Sequence, residues 1–151
     1  TVRMANIAIA ADHAGVGLKA ELVAELKKLG HAPTDFGPMD TRSVDYPDYA
    51  TKVTSAVNDG SASLGVLICG TGIGMSMTAN KVHGIRAALC HSEFDARAAR
   101  AHNDANVLCL GARTTGPGLA AEILKVFLAG AFEGGRHQTR IDKVTAIEAK
   151  R

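Results

Sequence analysis

The segment from Leu64 to Gly74, LGVLICGTGIG, constrains the fold more than any other part of the chain. Its apolar run is short, contains β-branched residues and is ended by glycine, which is typical of a strand buried in a parallel sheet. The glycines at positions 70, 72 and 74 allow a tight turn and let a ligand approach backbone N–H groups. Because a helix can begin at Ile73, the pattern predicts a strand, a glycine loop and a helix whose N-terminus binds an anion.

Cys69 lies where this strand meets the loop, and the positive end of the predicted helix would favour its thiolate. The segment therefore offers a base or nucleophile beside an anion site. The other two cysteines, Cys90 and Cys109, lie in apolar runs and are predicted to be buried in the core. An odd number of cysteines without CxxC spacing indicates neither a disulfide framework nor a zinc site.

Strand and helix patterns alternate along the whole chain. The patterns predict strands at 6–11, 31–36, 64–69, 84–90 and 106–110, and helices at 16–29, 47–58, 73–81, 92–103, 119–128 and 136–151. The expected fold class is α/β, as a single Rossmann-like, three-layer α/β/α domain over residues 1–151. Its sheet is expected to be mostly parallel, with about five strands, and to be followed by a C-terminal helix.

Composition excludes several classes of partner. A net charge of +2, no tryptophan and few aromatic residues argue against a nucleic-acid surface. No apolar run approaches the roughly 20 residues that cross a bilayer, and the start of the chain has no signal-peptide pattern. We therefore expect a cytoplasmic protein without a membrane partner.

Most of the chemically active residues follow the predicted strands. Asp12 and His13 follow the first strand, the cysteine and its glycine loop follow the third, and Gly111-Ala112-Arg113 follows the last. Ligands of open α/β sheets bind at this edge. The glycine spacing does not fit a dinucleotide fingerprint, and no Gly-Lys-Ser/Thr follows as in a Walker A loop. Asp12 is suited equally to capping a helix and to contacting a ligand.

Two further polar groups can each be interpreted in two ways. His102 and Asn103 lie near a predicted helix end, where an exposed histidine is ordinary. Arg136 and Arg140 are four residues apart on a predicted helix and therefore face the same way. The pair is either a solvated basic face or, given an anion loop elsewhere in the chain, a phosphate-binding pair.

Taken together, these motifs resemble those of the type B ribose-5-phosphate isomerases, whose superfamily includes galactose-6-phosphate and allose-6-phosphate isomerases. The resemblance covers nearly the whole chain. It is carried by Asp12-His13, Asp45-Tyr46-Pro47, Cys69-Gly70-Thr71-Gly72-Ile73-Gly74, Asn80-Lys81, Gly84-Ile85-Arg86, His102-Asn103-Asp104, Gly111-Ala112-Arg113 and Glu133-Gly134-Gly135-Arg136-His137.

The resemblance implies interconversion of ribose 5-phosphate and ribulose 5-phosphate through an enediolate. It implies that Cys69 is the base and that His102 assists opening of the sugar ring. The implied substrate-binding residues are Tyr46 and the loop from Gly70 through Thr71, Gly72 and Ile73 to Gly74, with Asp12 and Asn103 at the sugar and His13, Arg113, Arg136 and Arg140 at the phosphate. The family needs no metal or other cofactor, and the sequence shows no tight His/carboxylate ligand cluster.

The resemblance also implies a homodimer, or a dimer of dimers, with sites shared between subunits. In agreement with this, the C-terminal helix has no further strand to cover and is free to pack on a partner. Two other functions remain open at this stage. One is an isomerase of a six-carbon sugar phosphate, and the other is a nucleotide-binding module without catalysis. An inactive partner subunit is disfavoured, because Cys69, His102 and the arginines are all present.

Overall fold

The computed structural model describes residues 4–151. Five strands form one sheet, and six α-helices connect or follow them. The strands are β1 (Asn6–Ala11), β2 (Ala32–Asp35), β3 (Leu64–Cys69), β4 (Ala87–Leu89) and β5 (Val107–Gly111). The helices are α1 (Val16–Lys28), α2 (Tyr46–Asn58), α3 (Ile73–Ala79), α4 (Glu93–Ala101), α5 (Pro117–Ala129) and α6 (Arg136–Glu148).

The sheet has the order β2-β1-β3-β5-β4, and every neighbouring pair is parallel. This confirms the predicted α/β class. The register pairs Ala11 with Ile68 and Cys69 with Gly111, so the carboxyl ends of β1, β3 and β5 meet at one edge. That edge is where open parallel sheets bind their ligands.

Both faces of the sheet are buried, as the uninterrupted apolar runs require. Ile7, Ile9, Val66 and Ile68 point to one face, where they pack with residues of α1, α4 and α5. Alternate residues of the same strands point to the other face and pack with α2 and α3. Close packing on this second face depends on Gly65, because a Cβ there would lie 2.5 Å from Val53 Cγ1 of α2.

Most predicted boundaries agree with the structure within two residues, but two elements, α6 and β4, differ by more. Helix α6 ends at Glu148 rather than at 151. Strand β4 covers three residues instead of the predicted 84–90. Before β4, backbone groups of the chain pair with the side chain of Asn106 instead of with the backbone of a neighbouring strand. Asn106 accepts from the Arg86 N–H at 2.8 Å and donates to the Gly84 carbonyl at 2.9 Å.

Helix α6 lies outside the two helical layers. Among the apolar residues of this helix, Ile141 is buried, whereas Val144 and Ile147 are 57% and 68% exposed. Together with Met77 of α3, which is 64% exposed, they line an open groove of about 630 Å³ between α3 and α6. No helix within residues 4–151 is long and apolar enough to cross a membrane.

Candidate active site

The glycine loop wraps around the thiol of Cys69. This residue ends β3 and is 5% exposed, and the Gly72 N–H donates to its Sγ at 3.1 Å. Gly72 has a φ of +78°, and a Cβ there would lie 2.5 Å from Leu89 Cδ1 and 2.9 Å from the Leu110 carbonyl carbon. Glycine is therefore required both by the backbone conformation and by the available space. The loop holds the sulfur in one place, with backbone N–H groups beside it.

Arg113 and Tyr46 form two walls of this loop. The Arg113 N–H donates to the Gly70 carbonyl at 2.9 Å, and its guanidinium lies against Gly70, where a Cβ would be 3.6 Å from Nη1. The Tyr46 ring covers Gly74, where a Cβ would lie 2.5 Å from the ring Cζ. The structure thus brings a cation and a phenol hydroxyl to the loop that carries the thiol.

Asp12 and His13 lie on the neighbouring strand end. The Asp12 N–H donates to the Ile68 carbonyl at 3.0 Å, which places Asp12 beside Cys69. Asp12 Oδ1 accepts from the Ala14 N–H at 2.9 Å, so the capping role predicted for it is present, at a short 3-10 turn. His13 Nδ1 accepts from the Val44 N–H at 3.2 Å, which leaves Nε2 to carry the hydrogen and to donate. A cavity of about 580 Å³ opens here, lined by Asp12, His13, Ser43, Val44, Asp45, Tyr46, Pro47 and Asp48.

The remaining predicted residues form a second cluster. His102 follows α4 and is 45% exposed in its side chain. With Asn103 and Arg140 it lines a smaller cavity of about 270 Å³, which also includes His137, Ile141 and Val144. Arg136 begins α6 and is exposed. This cavity shares no lining residue with the one at Asp12 and His13.

The two clusters lie at opposite edges of the sheet. Cys69 is at the carboxyl end of β3 and pairs with Gly111, the last residue of β5. His102 precedes the amino end of β5, which begins at Val107. At a rise of about 3.3 Å per residue, β5 alone separates the two edges by about 13 Å. Within one chain, His102 and Cys69 therefore cannot reach the same sugar carbons.

The second cluster contains two residues that the sequence analysis did not assign, Glu133 and His137. Glu133 Oε1 lies 3.8 Å from His102 Nε2 and 3.6 Å from His137 Nε2. The two imidazole rings are stacked, with centroids 4.3 Å apart and planes 12° apart. The i,i+4 spacing of Glu133 and His137 at the predicted start of α6 was the signal available in the sequence.

These three residues correct the expectation that the chain has no tight His/carboxylate cluster. Their ligand atoms all lie within 4.8 Å of one another. A metal ion is bound in the plane of an imidazole ring, about 2.0–2.1 Å from its nitrogen. Because the two rings are nearly parallel and stacked, their lone pairs lie in parallel planes and do not converge on one point. The arrangement described here is a ring stack, and one ring would have to turn before both could hold an ion.

Burial affects the titration of several groups. The pKa of His137 is lowered by burial, and the nearby His102 and Arg136 lower it further. Burial, with a smaller contribution from Asp95, raises the pKa of the Cys90 thiol to about 12. Burial also raises the pKa of Cys109. The prediction that these two cysteines are core residues is confirmed.

A parallel α/β sheet with a thiol and a glycine loop at its ligand-binding edge defines a class of small-molecule enzymes, and comparison with known proteins identifies the family. The family model for "Ribose/Galactose Isomerase" matches residues 7–144. The chain belongs to this family, as its motifs indicated.

Two curated relatives and one solved structure illustrate the similarity. Ribose-5-phosphate isomerase B of Escherichia coli is 46% identical over 98% of this chain and 99% of its own length. D-erythrulose-4-phosphate isomerase of Pectobacterium atrosepticum is 44% identical over 96% of both chains. The structure of Clostridium thermocellum ribose-5-phosphate isomerase B has a TM-score of 0.95 at 50% identity, covering 96% of this chain and 98% of that one.

Proposed function

We propose that this chain interconverts ribose 5-phosphate and ribulose 5-phosphate. The observation that carries the proposal is the thiol of Cys69, held at the ligand-binding edge of the sheet inside the glycine loop, whose Gly72 N–H donates to Sγ. Removing a proton from a carbon next to a carbonyl requires both a positioned base and donors for the oxyanion that develops. Cys69 and the loop from Gly70 to Gly74 supply the two together.

In the proposed reaction, Sγ of Cys69 takes the proton from C2 of the open-chain aldose. The electrons of the C2–H bond form the C1–C2 double bond of the enediolate, and the carbonyl π electrons move to O1. Backbone N–H groups of the loop hold this negative charge. The proton then returns from sulfur to C1, the proton of the O2 hydroxyl is transferred to O1, and the C2 carbonyl of the ketose forms. No oxidant or reductant is consumed, and metal independence is part of the proposal.

The polar side chains have separate proposed roles. Asp12, Tyr46 and Asn103 bind sugar hydroxyls, while His13, Arg113, Arg136 and Arg140 bind the phosphate. His102 opens the furanose ring by protonating the ring oxygen and accepting the proton of the anomeric hydroxyl. The phosphate contacts supply binding energy far from the reacting carbons and so position C1 and C2 at the thiol.

We also propose that each complete site is built from two copies of the chain. In this arrangement His102, Arg136 and Arg140 serve the Cys69 of a second copy, which the roughly 13 Å between the two edges of the sheet supports. The exposed apolar side chains of α3 and α6, among them Met77, Val144 and Ile147, offer a surface for that copy. A C2 dimer would contain two identical sites of this kind.

Complementation tests the shared site. Cys69→Ala and His102→Asn should each be inactive alone. If they are unfolded and refolded together, random pairing makes half the dimers mixed, with one intact site in each, so about a quarter of the parent activity should return. If each chain forms its own complete site, no activity returns.

The function itself is tested by a direct assay. The purified protein, with a chelator present, should isomerise ribose 5-phosphate, and Cys69→Ala should bind the sugar phosphate without turning it over. Turnover by Cys69→Ala would reject the thiol as the base. Loss of parent activity with the chelator, restored by a divalent metal, would reject metal independence.

Substrate length is the main alternative, since the relatives include an enzyme named for a four-carbon substrate. Comparing kcat/KM for ribose 5-phosphate, allose 6-phosphate and erythrulose 4-phosphate decides among five, six and four carbons. A thermal-shift panel of NAD, ATP and ribose 5-phosphate tests the nucleotide-binding alternative. Arg136→Ala should raise KM for the phosphate substrate without lowering stability, whereas Arg97→Ala, at another exposed arginine, should not raise KM.

A further inference from the structure

His102 has few restraints of its own. It occupies the C-terminal cap position of α4, where its backbone N–H donates to the Ala98 carbonyl at 2.8 Å. Its side chain is 45% exposed, and neither ring nitrogen hydrogen-bonds to another group within residues 4–151. A histidine side chain in such a position can occupy three χ1 wells and a roughly two-fold χ2. A general acid or base that moves freely among these orientations spends little time in the productive one.

The structure provides a restraint from a different helix. The His137 side chain is only 10% exposed, and its ring lies flat against that of His102 at 4.3 Å. His137 is held on α6, where its own N–H donates to the Gly134 carbonyl at 3.1 Å. The preceding loop is tied to the end of α4, because the Glu133 N–H donates to the Ala101 carbonyl at 3.0 Å. The two rings therefore lie at the end of α4 and on α6, and a backbone hydrogen bond joins the end of α4 to the loop before α6.

We infer that His137 is a positioning residue that holds the imidazole of His102 in the orientation used for ring opening. The flat face of His137 restricts His102 through stacking, and the Glu133 carboxylate lies near the Nε2 atoms of both rings. This inference rests on the ring-opening role proposed above for His102. It assigns His137 no contact with the reacting carbons.

Ring opening can be measured without isomerisation. In a Cys69→Ala background the proposed base is absent, but opening and closing of the furanose ring still exchange the α and β anomers of ribose 5-phosphate. Exchange NMR on substrate labelled with ¹³C at C1 measures the acceleration of this exchange over buffer. His137→Ala, added to this background, should reduce the acceleration by roughly five- to tenfold, since about six rotamers of His102 become available.

Two further variants separate stacking from mere packing. His137→Phe keeps a flat ring and should restore most of the acceleration, whereas His137→Leu fills a similar volume without a flat face and should not. If His137→Ala fails to fold, the comparison of phenylalanine with leucine carries the test alone. Gln138→Ala is the matched control, because Gln138 is exposed on the same turn of α6 and its side chain hydrogen-bonds, within residues 4–151, only to Asp142.

Equal acceleration by the phenylalanine and leucine variants would overturn the inference, as would an unchanged rate in folded His137→Ala. It would also fail if the Cys69→Ala parent gave no acceleration over buffer. The proposed function fails by a different result, namely that the unmodified protein does not isomerise ribose 5-phosphate. A change confined to KM would point to substrate binding and would likewise overturn the positioning role.

Discussion

Replacement of Gly72 by alanine tests how far the geometry of the thiol loop determines both stability and activity. Gly72 has a φ of +78°, a conformation that costs an alanine roughly 1–2 kcal/mol. Its new Cβ would also lie 2.5 Å from Leu89 Cδ1 and 2.9 Å from the Leu110 carbonyl carbon. The leucine side chain can turn away, but the strand backbone of β5 cannot, so overpacking adds about 1–3 kcal/mol.

The combined destabilisation is about 2–5 kcal/mol, which for a chain of this size lowers Tm by roughly 5–15 °C. The loop must move to relieve the contacts, and the Gly72 N–H that donates to Cys69 Sγ moves with it. A displacement near 1 Å at a reacting group costs about 100-fold in rate, so kcat should fall by about that factor. Calorimetry and a steady-state assay of the same preparation measure both effects.

Gly17→Ala is the matched control for this variant. Gly17 is an exposed residue of α1, and a Cβ there meets no atom within 4 Å. Alanine should raise stability by roughly 0.5–1 kcal/mol at this helical position and leave kcat unchanged. A Gly72→Ala protein that melts within about 2 °C of the parent and keeps its kcat would refute the argument from loop geometry.

Three other predictions concern buried ionisable groups. Lys19→Met should lower the free energy of unfolding, measured in urea, by about 2 kcal/mol. The buried Lys19 ammonium lies 2.7 Å from the partly exposed Asp35 carboxylate, which would lose its partner. An unchanged urea midpoint would contradict this. Iodoacetamide at about pH 8 should label the native protein only at Cys69, since the pKa of Cys90 is raised to about 12, and mass spectrometry would detect any other site. The pKa of His137 is lowered in the folded protein, so the unfolded chain binds this proton more readily, and the stability that this difference contributes is present above about pH 6.5 and is lost as the pH falls. A curve of Tm against pH from about pH 7.5 to 5.5 should therefore be flatter for His137→Phe than for the parent. Curves of equal slope would count against the assignment.

The sequence by itself determined the elements that depend on local interactions. The apolar run before Cys69 indicated a strand buried on both faces, and Gly30, at a φ of +90°, directly follows the end of α1, where glycine is the usual residue. Ser92 is a residue type that favours the N-cap, and at the start of α4 its hydroxyl accepts from the Asp95 N–H at 3.0 Å. The thiol and the glycine loop needed no long-range information either, because one strand and one turn form them.

Only the tertiary structure decided which residues meet. Strand β5 runs parallel to β3, so His102, which precedes β5, lies at the edge opposite Cys69, which ends β3. The stack of His102 on His137 joins residues 35 positions apart, one at the end of α4 and one on α6. A spacing pattern reports neighbours along one element, whereas such contacts depend on how separate elements pack together. For that reason the thiol of the glycine loop could be located from the sequence, but the arrangement of the residues around it could not.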